Sequence, residues 1–76
     1  MKTKNIEKIE PRNANEVFVI ASDKNTEISI MNNNGVIIDC CSIKGEFISS
    51  AVRKNGSLGI ITAVNRERVL SVVSCS

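Results

Sequence analysis

The chain has 76 residues, with ten Lys or Arg against eight Asp or Glu and a formal net charge of +2. This length allows one small domain, and this charge is too small to indicate a polyanionic partner by itself. The chain contains no His, which excludes His-based catalytic triads and His-containing zinc sites.

Hydropathy and cysteine content predict the cellular compartment of the protein. The longest apolar run, Val36-Ile37-Ile38, is far shorter than the roughly 20 residues of a membrane span. No apolar segment follows the N-terminal lysines, as a signal peptide would require. Three cysteines do not form an even set of disulfide partners, which favours a reducing compartment. We therefore expect a cytoplasmic protein that makes no membrane contact.

Residues 1–16 mix charged and amide side chains with isolated Ile6 and Ile9 and then reach Pro11. Because proline does not continue a helix, this segment is expected to be a polar tail, either disordered or with one helical turn before Pro11. The sheet domain is expected to occupy residues 17–76.

From Val17 onward, short β-branched runs alternate with turn residues at intervals of about ten residues. They predict an all-β fold, an antiparallel meander of about five or six short strands, because such connections are too short for a parallel crossover. The candidate strands are Val17–Ala21, Glu27–Met31, Val36–Cys40, Phe47–Arg53, Leu58–Val64 and Val69–Val73.

Two connections contain Asn-Gly, at Asn34-Gly35 and Asn55-Gly56. Asn-Gly between β-branched runs predicts a hairpin with a type I′ turn, in which both central residues have positive φ. These two dipeptides are the strongest local evidence for the meander.

The period of two predicts which faces are buried. Val17–Ile20 is apolar on both faces, which predicts a strand that is central or covered on both sides, whereas Glu27–Met31 alternates as a half-buried strand does. In Leu58–Val64, one face carries the small residues Gly59 and Ala63. This face either allows another sheet or subunit to approach closely, or Gly59 marks a bulge.

Two segments of the chain, Thr26–Ile37 and Gly45–Thr62, together resemble one blade of a quinoprotein-type β-propeller. Each reads as strand, Asn-Gly turn and strand, with a Ser/Ala-rich strand following Gly45. A propeller needs several blades around a channel. The resemblance therefore implies that identical chains assemble, or that the sequence is an excerpt or remnant of a longer protein. Because pairing between edge strands would also satisfy unpaired backbone groups, we expect a homo-oligomer that assembles through edge strands.

A second resemblance is carried by Lys44–Ile48 and the apolar run Val17–Ile20, which are similar in layout to the tryptophan-sensing RNA-binding attenuation protein family. This resemblance implies a ring of small β-subunits. The positions where that family carries its RNA-binding basic residues, around Gly59–Thr62, read Gly-Ile-Ile-Thr here. Its RNA-binding residues are therefore not carried over.

Basic residues at one end of the meander are the candidate polyanion contacts, because alternate connections lie at the same end of a sheet. They are Lys24, Lys44, Arg66 and Arg68. Acidic residues dilute this group, so solvated turn charges are the simpler interpretation. With Phe18 and Phe47 as the sole aromatic residues, base stacking has little support. Nucleic acid binding is not favoured.

Catalytic chemistry is poorly supported. The cysteines lack metal-ligand spacing, and neither glycine-rich phosphate loop is present. Asp39 and Glu46 form no pocket with a basic partner. Cys40 and Cys41 face opposite sides of a strand, with Cys40 expected as a small buried residue rather than a reactive thiol. Cys75 is expected to be the more readily oxidised.

The sequence therefore predicts a non-enzymatic, homo-oligomeric β-sheet module that acts as an interaction or scaffold unit and uses no cofactor. The alternative is a ring protein that binds a small ligand or nucleic acid at sites between subunits, where a pocket can form although one chain is too small to enclose it.

Overall fold

The computed structural model of the chain describes residues 5–73, and these residues form seven strands and no helix. The four-stranded sheet has the order β1-β2-β3-β4 and the three-stranded sheet the order β5-β6-β7. Every pair within a sheet is antiparallel and adjacent in sequence. The predicted all-β, antiparallel meander is confirmed. The strands are β1 (Asn5–Asn13), β2 (Glu16–Ser22), β3 (Asn25–Asn32), β4 (Ile37–Lys44), β5 (Glu46–Val52), β6 (Leu58–Val64) and β7 (Glu67–Val73).

Strand β1 occupies most of the segment that was expected to be a polar tail. It pairs with β2 along its whole length, and Ile6 and Ile9 lie opposite Ala21 and Val19. A register shift between Ile6 and Lys8 places both isoleucines on one face although they are three residues apart. This bulge hides the period of two in the sequence, and Pro11 is tolerated because β1 is an edge strand.

The two sheets face each other across one core. The four-stranded sheet contributes alternate residues of β2 and β3, and the three-stranded sheet contributes residues of β6 and β7. The alternation predicted for Glu27–Met31 places Ile28 and Ile30 in the core, and β2 lies centrally between β1 and β3 as its apolar character predicted. The buried hydrophobic residues are Phe18, Ile20, Ile28, Ile30, Leu58, Ile60 and Val73.

Gly45 alone connects β4 to β5, and the chain passes there from one sheet to the other. These two strands were expected to be antiparallel neighbours, and this expectation is wrong. The turn between β2 and β3 holds the corner in place: the Thr26 hydroxyl donates to the Gly45 carbonyl at 2.8 Å, and the Phe47 N–H donates to Ser22 Oγ at 3.0 Å. The segments that resemble a propeller blade are thus divided between two sheets.

Both predicted Asn-Gly hairpins form, but their turns are not of type I′. Gly35 has φ +79° and Gly56 has φ +85°, while neither preceding asparagine has positive φ. The Gly35 N–H donates to the Asn32 carbonyl, which is the pattern of a three-residue loop with glycine in the left-handed region. The two-residue turn with positive φ at both positions is Asn65-Arg66, where φ is +50° and +68°.

We predict that Gly45→Ala destabilises the fold much more than Gly35→Ala does. A Cβ on Gly45 (φ +104°) would lie 2.5 Å from the Ala63 carbonyl oxygen, whereas a Cβ on Gly35 (φ +79°) meets nothing within 4 Å. The first change combines backbone strain with a steric clash and should cost about 3 kcal/mol or more. The second should cost about 1 kcal/mol.

The measurement is urea unfolding followed by far-ultraviolet circular dichroism at one fixed protein concentration, since the chain has no Trp or Tyr to report by fluorescence. Equal losses in the two variants would contradict the role assigned to Gly45.

Two buried threonines provide a second prediction. The Thr62 hydroxyl is buried and has no hydrogen-bond partner among residues 5–73, whereas the Thr26 hydroxyl, also buried, bonds to Gly45. Thr62→Val removes an unsatisfied polar group and should stabilise the protein by about 1 kcal/mol. Thr26→Val leaves the Gly45 carbonyl without this donor and should destabilise by about 1–3 kcal/mol. The same unfolding assay distinguishes them, and a loss of stability in Thr62→Val would disprove the assignment.

Candidate interaction surfaces

The outer face of the four-stranded sheet, which points away from the core, is largely apolar. Directly opposed residues share a face, and two rows of this sheet are Pro11–Val17–Met31–Ile37 and Ile9–Val19–Ser29–Cys40. Val17, Val19 and Met31 are half-buried, while Ile9 and Ile37 are exposed. Strand β2 is therefore apolar on both faces but covered on one.

The outer face of the three-stranded sheet combines small and large apolar residues. Gly59 lies between Ala51 and Val72, and the next row contains Ile61 opposite Leu70. The ladder is regular at Gly59, and a Cβ there would be 3.6 Å from the Ala51 carbonyl oxygen, an ordinary contact. The bulge interpretation of Gly59 is wrong, because the register shift in this pair lies in β5, between Phe47 and Ser49.

Strand β7 carries the most exposed large hydrophobic side chain of the described residues. Leu70 is 69% exposed and Val72 is 53% exposed, both on the outer face, and Val69 on the other face is also exposed. A strand was predicted here, but its faces were not assigned. A run that is apolar on both faces at the end of a meander is the signal that could have identified this edge.

Polar contacts join β1 to β5 across the two sheets. The Ser50 hydroxyl donates to Glu10 Oε2 at 3.0 Å, and the Lys8 ammonium donates to the Ser50 carbonyl at 3.4 Å. Lys8 also pairs with Glu10, with 3.4 Å between Nζ and Oε2. The edge of β5 is thus partly covered by β1.

The four basic residues singled out as candidate polyanion contacts lie at one end of the molecule, around Gly45. Lys24 precedes Asn25, which pairs with Lys44. Gly45 lies beside Ala63 and Val64 at the end of β6. The turn that follows contains Arg66, and Arg68 on the next strand pairs with Ala63. All four side chains are exposed, and acidic residues share this end. The acidic residues are Asp23, Glu46 and Glu67.

The two adjacent cysteines occupy the reverse of the expected environments. Cys40, expected to be buried, is exposed on the outer face, where the Ser29 hydroxyl donates to its Sγ at 3.6 Å. Cys41 lies opposite Ile28 and packs against the core. A bulge at Ile38 causes the difference, since one inserted residue reverses the faces of the residues that follow it. Cys75 lies outside the described residues.

Neither a metal-binding cluster nor a membrane-spanning helix is found in the described part of the chain. Within residues 5–73, no three His, Cys, Asp or Glu side chains are close enough together to hold a metal ion. Asp39 and Glu46 are exposed and belong to different sheets. The same residues include no helix with the length and hydrophobicity needed to cross a bilayer.

Comparison of the chain with protein-family models, with curated proteins and with solved structures found no match.

We predict that Cys40 reacts with a thiol reagent several-fold faster than Cys41 in the folded protein, because thiol modification requires access to the sulfur. The measurement compares Cys40→Ser and Cys41→Ser, each combined with Cys75→Ser so that a single thiol remains. Both variants should react at similar rates in denaturant, which is the control. Faster modification of Cys41 in the native state would contradict the face assignment of β4.

Proposed function

We propose that this chain is a non-enzymatic β-sheet module that assembles with copies of itself through its strand edges and serves as an interaction or scaffold unit. The observation that carries the proposal is the apolar surface left outside the core. Exposed large hydrophobic residues occur on β1, β4, β5 and β7, which are the four edge strands of the two sheets. Association of copies would remove this surface from water.

The size of the core supports the same proposal. Seven hydrophobic residues are buried between the sheets in the described part of the chain. Domains of this size bury a smaller fraction of their surface than larger ones and commonly gain stability from disulfides, metals or oligomerisation. Oligomerisation is the source of extra burial that fits the exposed hydrophobic residues of the edge strands best.

The proposed compartment is the cytoplasm. Support comes from the exposed thiol of Cys40, since an exposed thiol persists in a reducing environment. The exposed thiol of Cys40 would otherwise be open to oxidation.

The alternative function is a ring whose sites between subunits bind a small ligand or nucleic acid. The grouping of Lys24, Lys44, Arg66 and Arg68 at the Gly45 end favours this alternative, because a ring would repeat the cluster around its axis. The acidic residues at the same end weaken it. Nucleic acid absorbance that co-purifies with the protein and is lost at high salt would support the alternative; its absence would favour the scaffold.

We predict that the purified protein has a solution mass of two or more times the chain mass, and that this multiple falls on dilution as the subunits dissociate. Native mass spectrometry and light scattering across a wide concentration range provide the measurement. A protein that remains a single chain at the highest concentration reached would overturn the proposed function, whatever else it binds.

A further inference from the structure

Each of the two sheets has two edges, formed by β1 and β4 in one sheet and by β5 and β7 in the other. An unpaired edge exposes a row of backbone N–H and C=O groups that can pair with another chain. Proteins protect edges that must stay unpaired with proline, charge, bulges or a covering segment. The four edges of this fold can be compared by these devices.

Strand β1 carries most of the protective devices. Pro11 lies within it, Lys8 and Arg12 add charge, and its register with β2 shifts twice, between Ile6 and Lys8 and between Pro11 and Asn13. Proline removes a backbone donor, and bulges interrupt the ladder that an added strand would continue. An added strand would find no regular edge here.

Strands β4 and β5 are protected differently. The bulge at Ile38 interrupts β4, and the next residue, Asp39, places a carboxylate on the core-facing side of this edge strand. In β5 the register shifts between Phe47 and Ser49, and Lys8 of β1 binds the Ser50 carbonyl. Inward-pointing charge, bulges and cover are all known protections of edges.

Strand β7 carries charge at its first two residues, Glu67 and Arg68, and lacks these devices from Val69 to Val73. Its ladder with β6 is regular from Leu58↔Val73 to Val64↔Glu67, without a register shift. Its residues 69–73 contain no proline and no charge. Leu70 and Val72 project from it into solvent. Such a regular, apolar edge rich in valine has the properties of a strand that pairs with another strand.

We propose that β7 pairs antiparallel with β7 of a second copy about a two-fold axis at Leu70, which joins two three-stranded sheets into one of six strands. This inference rests on the proposed assembly through strand edges and specifies the edge and the partner. A two-fold interface uses the same surface on both copies, and backbone hydrogen bonds supply affinity in strand addition of this kind.

The ladder with β6 determines which backbone groups of β7 are free to pair. Val64 and Glu67 flank the two-residue turn Asn65-Arg66 and form a hydrogen-bonded pair in such a hairpin. Because hydrogen-bonded and non-hydrogen-bonded pairs alternate, the backbone groups of the even-numbered residues face the free edge. A second β7 could therefore make about six backbone hydrogen bonds. The outward-facing residues are Arg68, Leu70 and Val72.

Charge selects the register. With the axis at Leu70, Arg68 lies opposite Val72 of the partner subunit, and the whole of Glu67–Val73 is paired. A shift that moves the axis to Arg68 would place two arginines directly opposite each other, which is destabilising. The axis at Leu70 instead places the leucines of both copies side by side on the outer face, next to Ile61.

The test is disulfide trapping in a Cys40→Ala, Cys41→Ala, Cys75→Ala background. Residues opposed in a hydrogen-bonded pair have Cα atoms about 5.5 Å apart, within the range that a disulfide bridges. Leu70→Cys should therefore form a covalent dimer under mild oxidation. Val72→Cys is the matched control: it lies on the same face and is exposed, but the two copies of residue 72 would be about 14 Å apart. It should stay uncrosslinked.

Hydrogen exchange of the unmodified protein provides a second measurement that needs no substitution. The Leu70 and Val72 amides should exchange slowly in the oligomer, because they would be hydrogen-bonded to the partner. A strict monomer would overturn the proposed function and this inference together. An oligomer with fast exchange at both amides, or with crosslinking in Val72→Cys and none in Leu70→Cys, would overturn this inference and leave the proposed function standing.

Discussion

The arrangement of this fold depends on the one-residue passage between its two sheets at Gly45. With no further residues available, the chain must leave β4 and enter β5 through a conformation with φ +104°, at a position where a Cβ would clash with the Ala63 carbonyl oxygen. The hydrogen bond from Thr26 to the Gly45 carbonyl and the bond from Phe47 to Ser22 fix the corner to the turn between β2 and β3. The inner faces of both sheets are positioned against each other by this corner, and the core residues meet because of it.

The same corner determines which faces and edges of the two sheets remain exposed to solvent. Sheets that pack on one face leave their second face to solvent unless another layer covers it. Here Val17 and Val19 lie on the uncovered side of β2, and Leu70 and Val72 on the uncovered side of β7. The polar contacts of Glu10 with Lys8 and Ser50 cover one edge of the smaller sheet. The opposite edge, β7, has no comparable cover among the described residues, and it is there that apolar side chains and free backbone groups coincide.

Local alternation of residues predicted much of the fold. The buried faces of β2, β3 and β6 follow from patterns such as Ile28 and Ile30, because a period of two is read directly from neighbouring residues. Bulges defeated the same reasoning in β1 and β4, since one inserted residue moved Ile9 and Cys40 to faces that an unbroken strand would not give them.

The division into two sheets was not predictable from local sequence. A glycine before a strand is the same sequence signal whether the chain makes a hairpin within one sheet or passes to a second sheet. The partners that decide between these outcomes, Ser22 and Thr26, are far from Gly45 in sequence. The basic residues around Gly45 were grouped correctly from the connections alone. The edge at β7 was missed, although an apolar run at the end of a meander could have identified it.

The pairing of each strand with its sequence neighbours alone has a consequence for how the chain folds. Every ladder joins two strands that follow each other in the sequence, so each hairpin can form without closing a long loop. The main loss of loop-closure entropy comes when the two sheets dock. Contacts such as Ser50 with Glu10, 40 residues apart, belong to that later step. Because non-local contacts usually slow the folding of all-β proteins, the docking of the two sheets is the step expected to limit the folding rate.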